Sequence, residues 1–306
     1  MVECPVRGCP HSVERQRIVF RRESRSLCPE HAIYISPSTY EHADYRDNLL
    51  ASDPSDHDLL RRILAVKRET NRLGRERSED ALTFNVFRTV ERVGALDAIV
   101  SDLGDEPESG ANPSYWSFSL DAGGTHPLLA AARAAFGEGN GRGTEPDLLI
   151  ETRRTLFVIE AKLGAANLTM PSNPASLDAY RTAAGAWYDA VFRSEPTVLA
   201  RQLKLYQPMR LWLLGSWMAN EERKRIVLVS LTPGRCEQDI EARFAPHIDS
   251  TDARVFLRCT WEGIRERIRA LDRPELGALV GCLEHKTLGF DGAGRLRLAF
   301  GPTAAA

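Results

Sequence analysis

The sequence predicts an α/β fold in which helices flank a mixed β-sheet, with a small Cys/His zinc-binding segment at the amino terminus. Three observations lead there. Strand-like and helix-like periodicities alternate along most of the chain, as layered α/β domains require. Two apolar runs, residues 147–151 and 156–162, flank a four-residue polar turn and read as a hairpin. Cys4, Cys9 and Cys28 crowd the beginning of the chain, ahead of any helical pattern.

A chain of 306 residues can bury one large core, or a main domain with a small appended one. Its composition, 43% hydrophobic and 27% charged, is that of a soluble globular protein. No run of about eighteen apolar residues occurs, which excludes a membrane-spanning helix. Met1-Val2-Glu3-Cys4 lacks a basic n-region followed by an apolar stretch, so the expected location is cytoplasmic. A formal charge of −2 says little about partners, because a nucleic-acid footprint can be a local patch on a near-neutral protein. In a cytosolic chain, Cys236, Cys259 and Cys282 read as small buried hydrophobes rather than disulfide partners.

The elements follow in order. Residues 1–40 are punctuated by Cys and Pro and form the zinc-finger-like segment; residues 41–77 form a helical linker; residues 78–306 form the main domain. Residues 58–93 read as helix broken near Gly74, with Ser78 as an N-cap before the apolar face of Ala81, Leu82, Phe84, Val86, Phe87 and Val90. Residues 102–143 are loop-like, apart from a strand at 115–120 and a helix at 128–136. After the hairpin, helix is expected over 177–219, with Leu203, Tyr206, Met209, Leu213 and Leu214 in one stripe. Strand 225–231, helix 237–244, strand 254–260 and helix 261–271 follow. Pro274 opens a last helix reaching Lys286.

The charges at the hairpin carry chemistry. Asp147 opens one strand and Glu160 closes the next, so antiparallel pairing brings the carboxylates to one sheet edge. Lys162, two residues on, shares the face of Glu160. Paired carboxylates bind Mg²⁺ or Mn²⁺ through hard oxygens. A nearby ammonium can orient the attacking water and stabilise charge on a transferring phosphoryl group. A bare Glu-x-Lys triplet is usually a solvated strand end, and the placement after Pro146-Asp147 and two apolar strands is what favours a site.

Pro146-Asp147 followed by Glu160-Ala161-Lys162 resembles the PD-(D/E)xK nuclease superfamily, the restriction-endonuclease-like fold. The resemblance spans the order of elements from about residue 78 to 286. It implies Mg²⁺-dependent hydrolysis of DNA, as an endonuclease or related enzyme, in restriction or phage defence. It also implies Glu79 on the preceding helix and Gln202 on the following one as further site residues. DNA is the implied partner, with a homodimer or association with other defence-system subunits as further expectations. A catalytically silent zinc-containing nucleic-acid adaptor, or a phosphohydrolase acting on RNA or nucleotides, stands as the alternative.

Cys4-x4-Cys9 and Cys28-x2-His31 supply two ligand pairs for a closed tetrahedral Zn²⁺ site, structural in role, with His11 an alternative fourth ligand. Between the pairs, Arg15, Arg17, Arg21, Arg22 and Arg25 are opposed by Glu14 and Glu23. That stretch reads either as a solvated charged loop or as phosphate-contacting arginines. His42, His57, His126, His247 and His285 show no paired spacing and read as surface or satisfied histidines. Trp187, Trp212, Trp217 and Trp261 read as core, and Gly137-Glu138-Gly139-Asn140-Gly141 lacks the strand–loop–helix context of a phosphate loop.

Overall fold

The structure is a computed structural model that describes residues 1–6, 8–50, 53–67, 72–138, 143–173 and 176–301. The chain begins with β1 (Val2–Glu3), β2 (Ser12–Val13), β3 (Ile33–Ile35) and β4 (Tyr40–His42), then α1 (Pro54–Val66), α2 (Glu79–Arg92) and α3 (Leu96–Gly104). Next come β5 (Asn112–Tyr115), β6 (Phe118–Ser119), β7 (Gly124–Thr125), α4 (Pro127–Ala135), β8 (Leu148–Glu151) and β9 (Thr155–Ala161). The remainder is α5 (Ser176–Val191), α6 (Tyr206–Glu221), β10 (Arg225–Thr232), α7 (Ile240–Phe244), β11 (Arg254–Thr260), α8 (Trp261–Ala270), α9 (Gly277–His285), β12 (Thr287–Phe290) and β13 (Leu296–Leu298).

Packing divides the chain into two units. Unit 1 comprises Met1–His57, Glu69–Val93 and Arg265–Ala306; unit 2 comprises Asp58–Arg68 and Gly94–Ile264. This division is discontinuous in sequence, whereas the sequence-based segments 1–40, 41–77 and 78–306 are contiguous.

Unit 2 carries a seven-stranded mixed sheet in the order β11-β10-β9-β8-β5-β6-β7. Strand β9 is central, antiparallel to β8 and parallel to β10. All of its residues are buried, which is why it reads as a continuous apolar run rather than an alternating one. Helix α6 packs on β9 and β10 through Gly215. A Cβ built there would stand 2.6 Å from Ile226 Cδ1 and 3.0 Å from Val158 Cγ2, so a larger residue would have to displace those side chains. The surrounding core includes Leu149, Leu156, Val158, Met209, Trp212, Leu213, Leu228 and Phe244. At the turn of the hairpin, the buried Glu108 carboxylate accepts the Thr152 hydroxyl at 2.7 Å and the Thr155 hydroxyl at 2.5 Å.

Two expectations need correction in unit 2. Residues 115–120 do not form one strand, because Trp116 and Ser117 adopt φ of 46° and 73° and turn the chain back as the β5–β6 hairpin. Nor is 177–219 one helix. Ala184, Gly185 and Ala186 take left-handed backbone inside α5, a single π-helical turn spans Val198–Gln202, and Lys204 at φ 57° precedes α6. Left-handed residues break the right-handed i→i−4 hydrogen-bond ladder and the π turn widens it by one residue, neither of which an apolar stripe read along the sequence reveals. Helix α3 is an addition, covering residues that show no cap or proline punctuation.

Unit 1 holds three small antiparallel ribbons, β1–β2, β3–β4 and β12–β13, the first two around Cys4, Val13, Cys28, Ile33 and Ile35. A core so small, two of whose members are cysteines, points to a second source of folding energy. Ser78 caps α2 as expected, its Oγ accepting from Ala81 N–H at 3.1 Å. Among the described residues, no helix is long and apolar enough to cross a membrane.

Candidate functional site

The β8–β9 register pairs Leu148 with Ile159, which sets Asp147 opposite Glu160 at the end of the hairpin. The Asp147 Oδ2 accepts the Ala161 backbone N–H at 2.7 Å. Lys162 Nζ donates to Glu160 Oε1 at 2.5 Å, with 13% and 8% of the two side chains exposed. The backbone of Lys162 is held from two sides: its N–H donates to Leu231 O at 2.8 Å, and Trp261 Nε1 donates to its carbonyl at 2.9 Å. Asp147, Glu160 and Lys162 thus occupy one strand end, as their spacing predicts.

Glu160 Oε2 is buried and has no hydrogen-bond partner. The same holds for Asn167 Oδ1. Both residues line a cavity of about 10 Å³, with Ser230, Pro208 and Leu211 completing part of its wall. Two buried acceptors facing one small space call for a donor or a cation, since an unsatisfied buried acceptor costs ~1–3 kcal/mol. Asn167 is itself fixed: its N–H and Nδ2 donate to Glu237 at 2.6 Å each, and Nδ2 also reaches Ser230 Oγ at 3.2 Å. Asn167, Ser230 and Glu237 escape the sequence reading. Ser230 faces Glu160 only through the parallel β9–β10 register, and no local motif announces that pairing.

The loop that delivers Asp147 is anchored by a buried network. Glu138 accepts from Thr144 N–H at 2.5 Å, Thr144 Oγ1 at 2.7 Å, Tyr180 OH at 2.6 Å and Arg210 Nε at 3.0 Å. Burial works to raise the Glu138 carboxyl, but the Arg210 guanidinium and these donors outweigh it and hold the group below the ordinary glutamate value. The stabilisation is therefore complete above the ordinary value of ~4.3 and is lost as pH falls through the lower folded-state value. Glu138→Gln is expected to destabilise the protein by on the order of 3 kcal/mol at pH 7, because it removes the negative charge that the buried Arg210 guanidinium faces. The check is urea unfolding followed by tryptophan emission across pH 3–7. The wild-type advantage over Glu138→Gln should shrink at the acidic end, and a constant advantage would remove the carboxylate from this role.

In unit 1, Cys4, Cys9, Cys28 and His31 bring their ligand atoms within 4.8 Å of one another. Cys9 Sγ to Cys28 Sγ is 3.7 Å, Cys4 Sγ to His31 Nδ1 is 3.7 Å and Cys28 Sγ to His31 Nδ1 is 3.8 Å. A tetrahedral ion with bonds of about 2.1–2.3 Å needs ligand–ligand edges of about 3.5–3.8 Å, which these three separations match. Burial opposes ionisation of Cys28, yet the backbone amides of His31 and Glu30 and the His31 ring bring its thiol down to about 6. Burial above all pushes Cys4 up to about 12. Three thiols this close cannot ionise together unaided, and a divalent cation is the natural remedy. The cluster can hold a metal such as zinc. His11 stands outside it, with Nε2 3.5 Å from Glu30.

The remaining expectations fall out as follows. Glu79 opens α2 in unit 1, half-buried, whereas the acid–lysine trio belongs to unit 2. Gln202 does not lie on a regular α-helix; it ends the π-helical turn and is exposed. Arg25 pairs with Glu14 at 3.1 Å and Glu23 at 2.9 Å, and Arg22 pairs with Glu41 at 2.9 Å, while Arg15, Arg17 and Arg21 are exposed. His126 is buried and caps α4, accepting from Leu129 N–H. All six cysteines are free; Cys259 is buried, but Cys236 and Cys282 are only half-buried. Trp212 and Trp261 are fully buried, whereas Trp187 and Trp217 are partly exposed at the edge of the core. Of the glycine-rich stretch, residues 139–141 lie outside the described residues. Compared with protein-family models, curated proteins and solved structures, the chain matches none of them.

Proposed function

We propose that this chain is a metal-dependent nuclease that hydrolyses DNA phosphodiester bonds at the Asp147–Glu160–Lys162 strand end. The observation that carries the reading is the buried, partnerless Glu160 Oε2 beside the Lys162 ammonium, at a strand end that Asp147 shares. A restriction-endonuclease-like arrangement is consistent with the mixed sheet, whose central hairpin carries these residues. Asp147 and Glu160 supply the hard oxygens that Mg²⁺ or Mn²⁺ prefers, and the orphaned Asn167 Oδ1 adds a neutral one. A divalent cation bound there would acidify a water and neutralise charge on the phosphoryl group.

The protein's own groups do the positioning. The Lys162 ammonium, beside Glu160, can orient the attacking water and stabilise charge on a non-bridging phosphate oxygen. The Ala161 amide orients the Asp147 carboxylate by donating to its Oδ2 at 2.7 Å. In unit 1, Zn²⁺ at Cys4, Cys9, Cys28 and His31 has a structural role, since four protein ligands leave no open position for a substrate. A place in restriction or phage defence rests on the family resemblance alone, as do partner subunits.

The test is cleavage of supercoiled plasmid and of single-stranded DNA with Mg²⁺ or Mn²⁺, beside an EDTA control and the Asp147→Asn variant. Metal-dependent cutting by wild type that drops at least ~100-fold in the variant is the expected result. Cutting that survives the substitution moves the site elsewhere. Absence of cutting with DNA binding retained supports a silent adaptor instead, and cutting of RNA alone supports the phosphohydrolase alternative.

A further inference from the structure

The arginine-rich stretch between the two ligand pairs of the cysteine–histidine cluster has no part in the cleavage site. Its five arginines separate into two groups. Arg22 pairs with Glu41 at 2.9 Å, and Arg25 holds both Glu14 and Glu23. Arg15, Arg17 and Arg21 are exposed and make no ion pair among the described residues. Five arginines against three glutamates leave a local excess of positive charge on a chain whose formal charge is −2.

The loop that carries these arginines has a fixed base. Gln16, only 1% exposed, closes it from inside. Its Nε2 donates to Ser36 Oγ at 3.0 Å, its Oε1 accepts the Glu23 N–H at 3.2 Å, and its own N–H donates to Ile35 O at 2.9 Å. Residues 17–22 therefore leave and return at one point. Arg75 stacks on the Phe20 ring, its guanidinium carbon 3.8 Å from the ring centroid, and both line one cavity with Arg22 and Glu41. Phe20 and Arg22 take left-handed backbone, at φ 63° and 55°, which residues other than glycine hold only where their surroundings impose it. With the Phe20 ring covered by Arg75, the tip is left to Ile18 and Val19, which are 53% and 36% exposed. Arg17 precedes this apolar pair and Arg21 follows it.

Guanidinium forks match phosphate oxygens, and an apolar tip between them suits the sugars that wall a minor groove. A single strand is held chiefly by exposed aromatic rings, and the one ring of this loop, Phe20, is already covered by Arg75. We propose that this loop docks duplex DNA. Arg15, Arg17 and Arg21 contact backbone phosphates, and Ile18 and Val19 rest in the minor groove between them. Such contacts hold the duplex in place without reading its sequence. The inference shares a class of ligand with the cleavage reading but not a site. It is tested by binding without divalent metal, so either can fail while the other stands.

The experiment is fluorescence anisotropy of a labelled duplex of about 20 base pairs, titrated with the full chain at ~50–300 mM KCl without added divalent metal. Arg15→Gln, Arg17→Gln and Arg21→Gln should each flatten the plot of log Kd against log salt by about one unit of slope, and the triple variant by about three. At ~100 mM KCl the triple variant should bind at least ~30-fold more weakly. Ile18→Ser combined with Val19→Ser should weaken binding about fivefold and leave the slope unchanged, because that contact is apolar. Arg153→Gln, at the exposed β8–β9 turn, is the control and should bind as wild type does. Thermal melting checks the fold of each variant, and if the triple variant melts early the three single slopes decide. The proposal is overturned by a wild-type slope in the arginine variants, by an equal loss in Arg153→Gln, or by absence of duplex binding below ~100 μM. Tighter binding of a single strand of the same length overturns it too. So does tighter binding of phosphatidylserine vesicles, which would make the loop a membrane contact.

Discussion

Lys162→Met is expected to lower metal-dependent turnover by about 10²–10³-fold, the usual penalty for removing a charge that stabilises a transition state. Methionine keeps most of the unbranched stem and removes only the ammonium. The loss is chemical because the backbone at this position is fixed independently, by Leu231 O on one side and the Trp261 indole on the other. The same substitution strips Glu160 of its cationic partner in a site where only 8% of the carboxylate side chain is exposed. Breaking such a pair from one side costs on the order of 3 kcal/mol, whereas replacing both members costs much less. Three proteins therefore separate chemistry from folding. Lys162→Met should be slow and destabilised, Glu160→Gln with Lys162→Met should be slow but close to wild-type stability, and wild type should be fast. Urea unfolding read by tryptophan emission supplies the stabilities, since Trp116, Trp187, Trp212, Trp217 and Trp261 all lie in unit 2. A Lys162→Met protein that keeps more than about half its turnover would place water activation on another group.

The second large effect belongs to the cysteine–histidine cluster. The purified chain is expected to carry one zinc ion, and removing it should unfold the amino-terminal segment. Around Cys4, Val13, Cys28, Ile33 and Ile35 there is too little apolar surface to hold two short ribbons together. Metal binding to such sites contributes about 10–16 kcal/mol of apparent free energy at neutral pH, more than the whole stability of a typical domain. Titration with a mercurial reagent in the presence of a colorimetric zinc indicator measures the stoichiometry directly. Cys28→Ser and His31→Ala should lose the ion and become sensitive to limited proteolysis within residues 1–40. His11→Ala should do neither, because its ring faces Glu30 instead of the cluster. Retention of full metal content in Cys28→Ser, or loss of it in His11→Ala, would redraw the ligand set.

Much of this architecture is legible before any coordinates. The ends of β10, β11, α8 and α9 agree with their periodicity to within two or three residues, and Ser78 caps α2 where its spacing places it. Each of these depends on interactions within a few residues. The π-helical turn at Val198–Gln202 and the left-handed residues in α5 are different in kind. Gly185 permits such a turn, but the apolar stripe continues through it and gives no warning. Gln202 is misjudged for that reason: read as one face of a long helix, it sits instead on an exposed turn.

The sequence by itself determined what short spacings can encode: an acid–lysine hairpin, two cysteine-containing ligand pairs and an alternation of strands with helices. A hairpin needs only a turn and two apolar runs, and a zinc ligand pair needs only a knuckle. Tertiary structure alone decided which distant residues complete those sites. Ser230 meets Glu160 because β9 and β10 pair in parallel with a long crossover between them, and that register is set by burial on both faces of the sheet. Glu41 and Arg75 come to share one cavity with Phe20 for a similar reason: β4 bridges to Arg75 across a gap that contains α1. No residue near either end of that gap signals the meeting, because its energy comes from contacts that exist only once the chain has closed.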